Sequence, residues 1–315
     1  MENKMRVALR PYISLMRVNH YIKNLFMLPG VALALTFEYQ SNYRVITYDI
    51  LFNIILTFTA LCLVSSANYI INEWLDRNFD QKHPMKKHRV ASWYQFHARN
   101  VYSFYVVVVI AAGIITYQLN SAIQLYLSGL LFMGILYNVK PFRLKDRHYL
   151  DVISESVNNP IRLAIGWHCL QPDKVIPVSA FISYWGVGIF LMSLKRYSEM
   201  KIVGDKELLV SYRVAFARWT PDKLMTFSSV GSTTAAFFGG ILLVRHRLEY
   251  ILMFPMLAII FVQYLSMSLS LDPASYSPEK LMRQRKFAYS TVLIIGVFIL
   301  TTFFDIPLLH QIVGT

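Results

Sequence analysis

Long apolar stretches recur along the whole chain, each near the roughly 20 residues that a helix needs to cross a bilayer. Nine are read as membrane spans, at approximately 23–39, 46–72, 100–119, 121–140, 150–171, 176–195, 223–244, 249–271 and 287–311. Lipid offers no partner to backbone N–H and C=O groups, so such segments fold as helices. The predicted fold is all-α: a polytopic bundle of nine transmembrane helices, with residues 1–315 forming one integral membrane domain. The fifth segment is the most polar, since it holds Asp151, Glu155, Asn158, Asn159, Pro160 and Arg162.

The placement of Lys and Arg orients this bundle. With the N-terminus in the cytoplasm, the inner segments 1–23, 73–99, 140–149, 195–223 and 272–286 hold 26 of the 31 basic residues. The outer loops hold 4, namely Arg44, Lys174, Arg245 and Arg247, and Arg162 lies inside the fifth span. Such an excess follows the positive-inside rule. It accounts for the net charge of +13 without a nucleic-acid partner. Charged residues make up 16% of the chain, below the roughly 25% of soluble domains. Residues 1–22 read as a basic, amphipathic segment on the cytoplasmic leaflet. No cleavable signal peptide is expected, because cations run from Lys4 to Lys23 with no small-residue cleavage site. Cys62 and Cys169 sit in apolar segments and read as packing residues.

Asn72-Glu73-Trp74-Leu75-Asp76-Arg77-Asn78-Phe79-Asp80 follows directly on the second span. Asn72, Asp76 and Asp80 are spaced i, i+4, i+8, roughly one helical face. An oxygen-rich face suits a hard divalent cation such as Mg²⁺. Lys82, Lys86, Lys87, His88 and Arg89 come next, and their charge suits phosphate. The plainer reading is a helix end whose acids pair with local lysines.

Four further groups stand out. Asp151 and Glu155, i and i+4, read as a second metal site, with Arg162 on the same side; the plainer reading, compatible with it, is a structural Glu155–Arg162 pair. Tyr137 through Lys145 carries Lys140, Arg143 and Lys145 between the two acidic groups. That placement favours phosphate contact, although positive-inside bias alone also explains it. Lys195, Arg196 and Glu199 close the sixth span, where Lys195 and Glu199 can simply pair. Asn19 and Lys23 precede the first span, as phosphate contacts or as part of a surface anchor.

These spans and motifs resemble the UbiA superfamily of intramembrane prenyltransferases over essentially the whole chain. The carriers are Asn72-Glu73-x-x-Asp76-x-x-x-Asp80, its continuation His83-Pro84-x-Lys86-x-x-Arg89, and the acidic motif between spans four and five. Arg17-x-x-x-Tyr21-x-Lys23-Asn24, Tyr137 through Asp151, and Lys195-Arg196-Tyr197-x-Glu199 are similar to the decaprenyl-phosphate phosphoribosyltransferase branch. Glu73 stands where that family usually has Asp, and Val90 where Pro is common.

The resemblance implies a UbiA-like bundle and a Mg²⁺-dependent transferase acting on a diphosphate donor. The branch implies transfer of 5-phosphoribosyl from phosphoribosyl diphosphate to a polyprenyl phosphate. The alternative is transfer of a prenyl group from a prenyl diphosphate to an aromatic or other small acceptor. A prenyl diphosphate cyclase comes third, and a transporter is the non-enzyme alternative. Asp76, Asp80 and Asp151 would be catalytic. Asn72, Asp76, Asp80, Asp151 and Glu155 would hold metal. Lys23, Lys86, Arg89, Lys140, Lys145, Lys195 and Arg196 would bind phosphate, with Glu73, Tyr137, Arg162 and Glu199 around them. Membrane lipids are expected partners, nucleic acid is not, and a homo-oligomer is compatible with the sequence. The implied location is a bacterial inner (plasma) membrane, with the site facing the cytoplasm.

Overall fold

The computed structural model describes residues 2–42, 47–84, 86–272 and 284–313. Arg44, and residues 273–283 of the expected basic loop, lie outside the described residues. In chain order the elements are α1 (Glu2–Leu15), a 3-10 helix (Val18–Met27), α2 (Leu28–Asn42), α3 (Tyr48–Asp80) and α4 (Val90–Trp93). Then come α5 (Ala98–Thr116), α6 (Ser121–Asn138), a 3-10 turn (Leu144–Asp146), α7 (Leu150–Ser156) and α8 (Asn158–His168). They are followed by α9 (Val178–Val203), α10 (Lys206–Tyr212), a 3-10 turn (Val214–Ala217) and α11 (Pro221–His246). The last are a 3-10 helix (Leu248–Met253), α12 (Phe254–Leu269), α13 (Arg285–Phe303) and α14 (Pro307–Val313). Among the described residues there is no strand.

Among the described residues, seven helical segments are long and apolar enough to cross a membrane. Two predicted spans are built differently. The first, 23–39, is the end of a 3-10 helix followed by the 15-residue α2. The fifth, 150–171, breaks at Val157 into α7 and α8. Its polar residues and Pro160 work against one continuous apolar helix.

The chain forms two compact units. The first comprises residues 1–176 and 203–219, and α3 is its axis. α3 is capped by Thr47, whose hydroxyl accepts from the Ile50 N–H, and runs 33 residues. That is about 50 Å against a hydrocarbon core of about 30 Å, so its far turns can carry Asn72–Asp80 out of the apolar layer. Leu61, Val64, Ile123, Leu127, Leu130 and Ile165 form one buried cluster around it. Leu15, Ala67, Ile70, Trp74, Val101 and Val108 form another.

α2 and α8 cross with their backbones in contact. A Cβ on Gly30 would lie 1.9 Å from the Leu163 carbonyl oxygen, and one on Gly166 would lie 2.0 Å from that of Met27. Only glycine permits this approach. In the second unit, residues 177–202 and 220–315, Gly186 of α9 and Gly231 of α11 make a similar crossing. Phe190 there stacks on Phe261, with centroids 4.7 Å apart, beside Leu194 and Tyr264.

Candidate active site

The acidic end of α3 meets two separate groups of cations within the first unit. The helical repeat explains the separation. At about 100° per residue, Asp76 lies about 40° from Asn72, while Asp80 has drifted to about 80°, near Glu73 at about 100°. Asn72 and Asp76 therefore look one way, and Glu73 and Asp80 another.

On the first side, Asp76 Oδ1 accepts from Lys145 Nζ at 2.6 Å and from Arg143 Nη2 at 2.9 Å. Asn72 Nδ2 donates to Asp76 Oδ2 at 3.3 Å and to Asn138 Oδ1 at 2.5 Å. Lys145 also donates to Asn138 Oδ1 at 2.8 Å. Burial pushes the Lys145 ammonium down to about 8, against the opposing pull of Asp76. Two residues that turn the chain here, Arg143 and Tyr149, have φ of 35° and 64°. This tight path brings the 3-10 turn under α3 and starts α7 beside it.

Arg213 holds the second acidic motif. Its Nη1 lies 3.7 Å from Asp151 Oδ2 and donates to the Tyr137 hydroxyl at 3.3 Å. Tyr137 donates in turn to Glu155 Oε2 at 3.0 Å. Trp219 Nε1 donates to Asp151 Oδ1 at 3.1 Å, and Asp151 is fully buried. Lys145 sits 5.8 Å from the Tyr137 ring centre. One connected network thus runs from Asn72 and Asp76 through Asn138, Lys145 and Tyr137 to Asp151 and Glu155.

On the second side, Arg17 Nε donates to Glu73 Oε1 at 2.5 Å, and Arg89 Nη1 donates to Asp80 Oδ2 at 2.6 Å. Desolvation, helped by the nearby Arg17, lowers the Arg89 guanidinium from its ordinary value, while Asp80 and Glu73 oppose this. Tyr21 and Ser66 share a hydrogen bond at 2.8 Å. Asn24 Oδ1 accepts from Ser65 at 3.0 Å and from Arg162 Nε at 3.1 Å. Arg162 also donates to the Asn158 carbonyl at 3.1 Å.

The remaining sequence candidates are distributed more widely. Lys23 is half-buried on the Val18–Met27 helix. Lys86 Nζ lies 5.8 Å from the Tyr212 ring centre. Lys140 is exposed and lines a surface groove with Phe142 and Arg147. Lys195, Arg196 and Glu199 belong to the second unit, where buried Arg196 and Glu199 pair at 3.4 Å. That pair is i, i+3 on α9. Sequence reasoning left Arg213 and Trp219 out. Arg213 sat among seven basic residues of one loop with no local motif, and only its contact with Asp151 distinguishes it.

The donors Asn72, Asp76, Asp80, Asp151 and Glu155 are all oxygen, the chemistry that Mg²⁺ selects. Among the described residues, no three His, Cys, Asp or Glu side chains cluster tightly enough to cage an ion by themselves. That fits Mg²⁺, which is usually held by one or two carboxylates with substrate phosphates and water completing its shell.

The family model of the UbiA prenyltransferase family matches residues 28–291. Decaprenyl-phosphate phosphoribosyltransferase of Mycolicibacterium smegmatis is 26% identical over 217 residues. That match spans 66% of this chain and 65% of the relative's length. The solved structure of a UbiA homolog from Archaeoglobus fulgidus bound to DMAPP and Mg²⁺ is similar with a TM-score of 0.67 at 15% identity. It covers 92% of this chain and 98% of that one. The homolog bound to GPP and Mg²⁺ gives a TM-score of 0.66 at 15% identity, covering 90% and 99%. At these identities the likeness establishes the fold.

Proposed function

The chain belongs to the UbiA prenyltransferase family, and from this we propose that it moves a 5-phosphoribosyl group from phosphoribosyl diphosphate to a polyprenyl phosphate. It is an integral membrane protein and a transferase. One observation carries the finer reading: two separate cation groups flank the acidic end of α3, Arg143, Lys145 and Arg213 on one side, Arg17 and Arg89 on the other. A prenyl diphosphate and an aromatic acceptor present one anionic group. A phosphoribosyl donor and a phosphorylated lipid present more than one, in separate places. The similarity to the Mycolicibacterium smegmatis enzyme supports the same reading.

In the reaction, the bond from ribose C1 to the diphosphate oxygen breaks. A phosphate oxygen of the lipid forms the new bond to C1, and diphosphate leaves with the electron pair. Asn72 and Asp76 would hold Mg²⁺ against the donor diphosphate, Asp80 would hold Arg89 on the other side of α3, and Asp151 and Glu155 would take a second ion or the ribose hydroxyls. Bound there, Mg²⁺ would neutralise charge growing on the leaving diphosphate. Lys145 and Arg143 would transfer their hydrogen bonds from Asp76 to phosphate oxygens, and Arg213, ion-paired with Asp151, would add its charge. Tyr137 would hold the Glu155 carboxylate in place.

The test is to supply the purified protein with Mg²⁺ and labelled phosphoribosyl diphosphate plus polyprenyl phosphate, and separately with labelled prenyl diphosphates plus aromatic acceptors. Labelled lipid is expected from the first mixture. Product from the second mixture alone would overturn phosphoribosyl transfer in favour of prenyl transfer.

The same reading takes residues 1–315 as one membrane domain with nine crossings, α2 and the broken α7–α8 pair completing the seven long helices. Its N-terminus is cytoplasmic, in a bacterial inner membrane, with the acidic motifs on the cytoplasmic side. His246→Cys tests the orientation, since Cys62 and Cys169 are buried and give little background. An impermeant thiol reagent is expected to label the variant from the outer face only. Labelling from the cytoplasmic face would reverse the topology.

A further inference from the structure

The end of α1 borders a groove of which the reaction above draws only on Arg17. It encloses about 630 Å³. Leu9, Ile13 and Val18, each about half exposed, form an apolar wall, and Arg10, Ser14 and Arg17 form a polar one. Arg10 is exposed at its rim. Arg17 is held under constraint. Its φ is 49°, a left-handed conformation that non-glycine residues seldom adopt. Its side chain is 10% exposed, and the guanidinium carbon lies 5.5 Å from the Tyr69 ring centre.

The ion pair with Glu73 uses Arg17 Nε alone. Arg17 Nη2 and Glu73 Oε2 are both buried with no hydrogen-bond partner among the described residues. A buried guanidinium N–H without an acceptor is costly, and backbone strain of this kind clusters at binding sites. Arg17 thus lines a groove of cationic and apolar walls, and would have to turn Nη2 out of burial to offer it to a ligand there.

We propose that this groove docks the phosphate head group of the polyprenyl phosphate acceptor, with the lipid chain along Leu9, Ile13 and Val18. Two arginines and a serine match a phosphate monoester, and the apolar wall matches the chain attached to it. An amphipathic helix at the bilayer surface is where such a lipid would be met. Arg17 is tied through Glu73 to the same helical end of α3 that carries the acidic motif. The identity of the lipid rests on the phosphoribosyl-transfer reading.

Binding is measured with the full chain in phosphatidylcholine nanodiscs, using farnesyl phosphate as the probe. Arg10→Gln is the first variant, because an exposed rim residue can be changed without disturbing the fold. It is expected to weaken farnesyl phosphate binding about tenfold. Arg17→Lys, which keeps the charge on Glu73 and loses the fork, is expected to raise KM for the lipid phosphate and leave KM for the donor unchanged. Inorganic phosphate and farnesol are expected to bind poorly, and phosphatidylglycerol to compete poorly. Unchanged binding in Arg10→Gln, equal binding of inorganic phosphate, or full competition by phosphatidylglycerol would each sink the proposal. Arg10-dependent binding without phosphoribosyl transfer would overturn the reaction and leave a lipid-phosphate groove.

Discussion

Asp76→Asn is expected to lower turnover roughly 10³-fold while leaving the protein folded, as measured by product formation and thermal melting in detergent. Asp76 is the acid on which Lys145, Arg143 and Asn72 converge, and Lys145 and Arg143 are themselves nearly buried. Removing the carboxylate leaves two cations facing each other in a poorly solvated place, and breaking a buried pair typically costs about 3–5 kcal/mol. Two effects soften that cost. Asparagine keeps an acceptor oxygen, and Lys145, already lowered to about 8 by burial, sheds its proton more readily once Asp76 no longer holds it charged. The activity loss has no such relief, because an amide oxygen carries no charge toward a metal or a diphosphate. Adding Lys145→Met to Asp76→Asn separates the two roles: melting should recover and turnover should not. A fully active Asp76→Asn variant would remove Asp76 from the proposed machinery.

Gly30→Leu is expected to damage the fold itself, at a cost of about 3 kcal/mol or more. An added Cβ would already meet backbone, 1.9 Å from the Leu163 oxygen and 2.9 Å from the Trp167 nitrogen. Backbone cannot rotate away as a side-chain tip can, so α2 must separate from α8. The reciprocal position, Gly166, faces the Met27 oxygen in the same way. By contrast, Gly134 faces the Asn68 side chain, and Gly113 of α5 has open space around its Cβ direction. Gly113→Ala should melt within about 0.5 kcal/mol of the parent. Equal melting of Gly30→Leu and Gly113→Ala would show that the α2–α8 contact contributes little.

Much of the membrane architecture is legible because hydropathy acts locally. The seven long helices fall on seven of the nine apolar stretches. Of the two remaining stretches, 150–171, already the most polar in sequence, breaks at Val157, and 23–39 begins inside the 3-10 helix of residues 18–27. Hydropathy counts apolar residues and does not register where a backbone hydrogen-bond pattern changes.

The site was legible in its residues more than in its pairings. Asn72, Asp76, Asp80, Tyr137, Lys145, Asp151 and Glu155 could be named from motif spacing. Their partners could not, because an ion pair across more than 50 residues leaves no local signal. Arg143 with Asp76, Arg17 with Glu73, and Arg213 with Asp151 are all of this kind.

The sequence by itself determined that this chain is a helical membrane protein with an acidic motif at the end of its second apolar stretch. It also places an oxygen-rich motif, Asn72 to Asp80, directly before a run of cations, Lys82 to Arg89. Only the tertiary structure decided that α3 presents those acids to two cation groups, with Asp80 beside Glu73 on the far one. The physical reason is the 3.6-residue turn: four-residue steps drift about 40° each, and which neighbours wait at each angle is set by how distant helices pack.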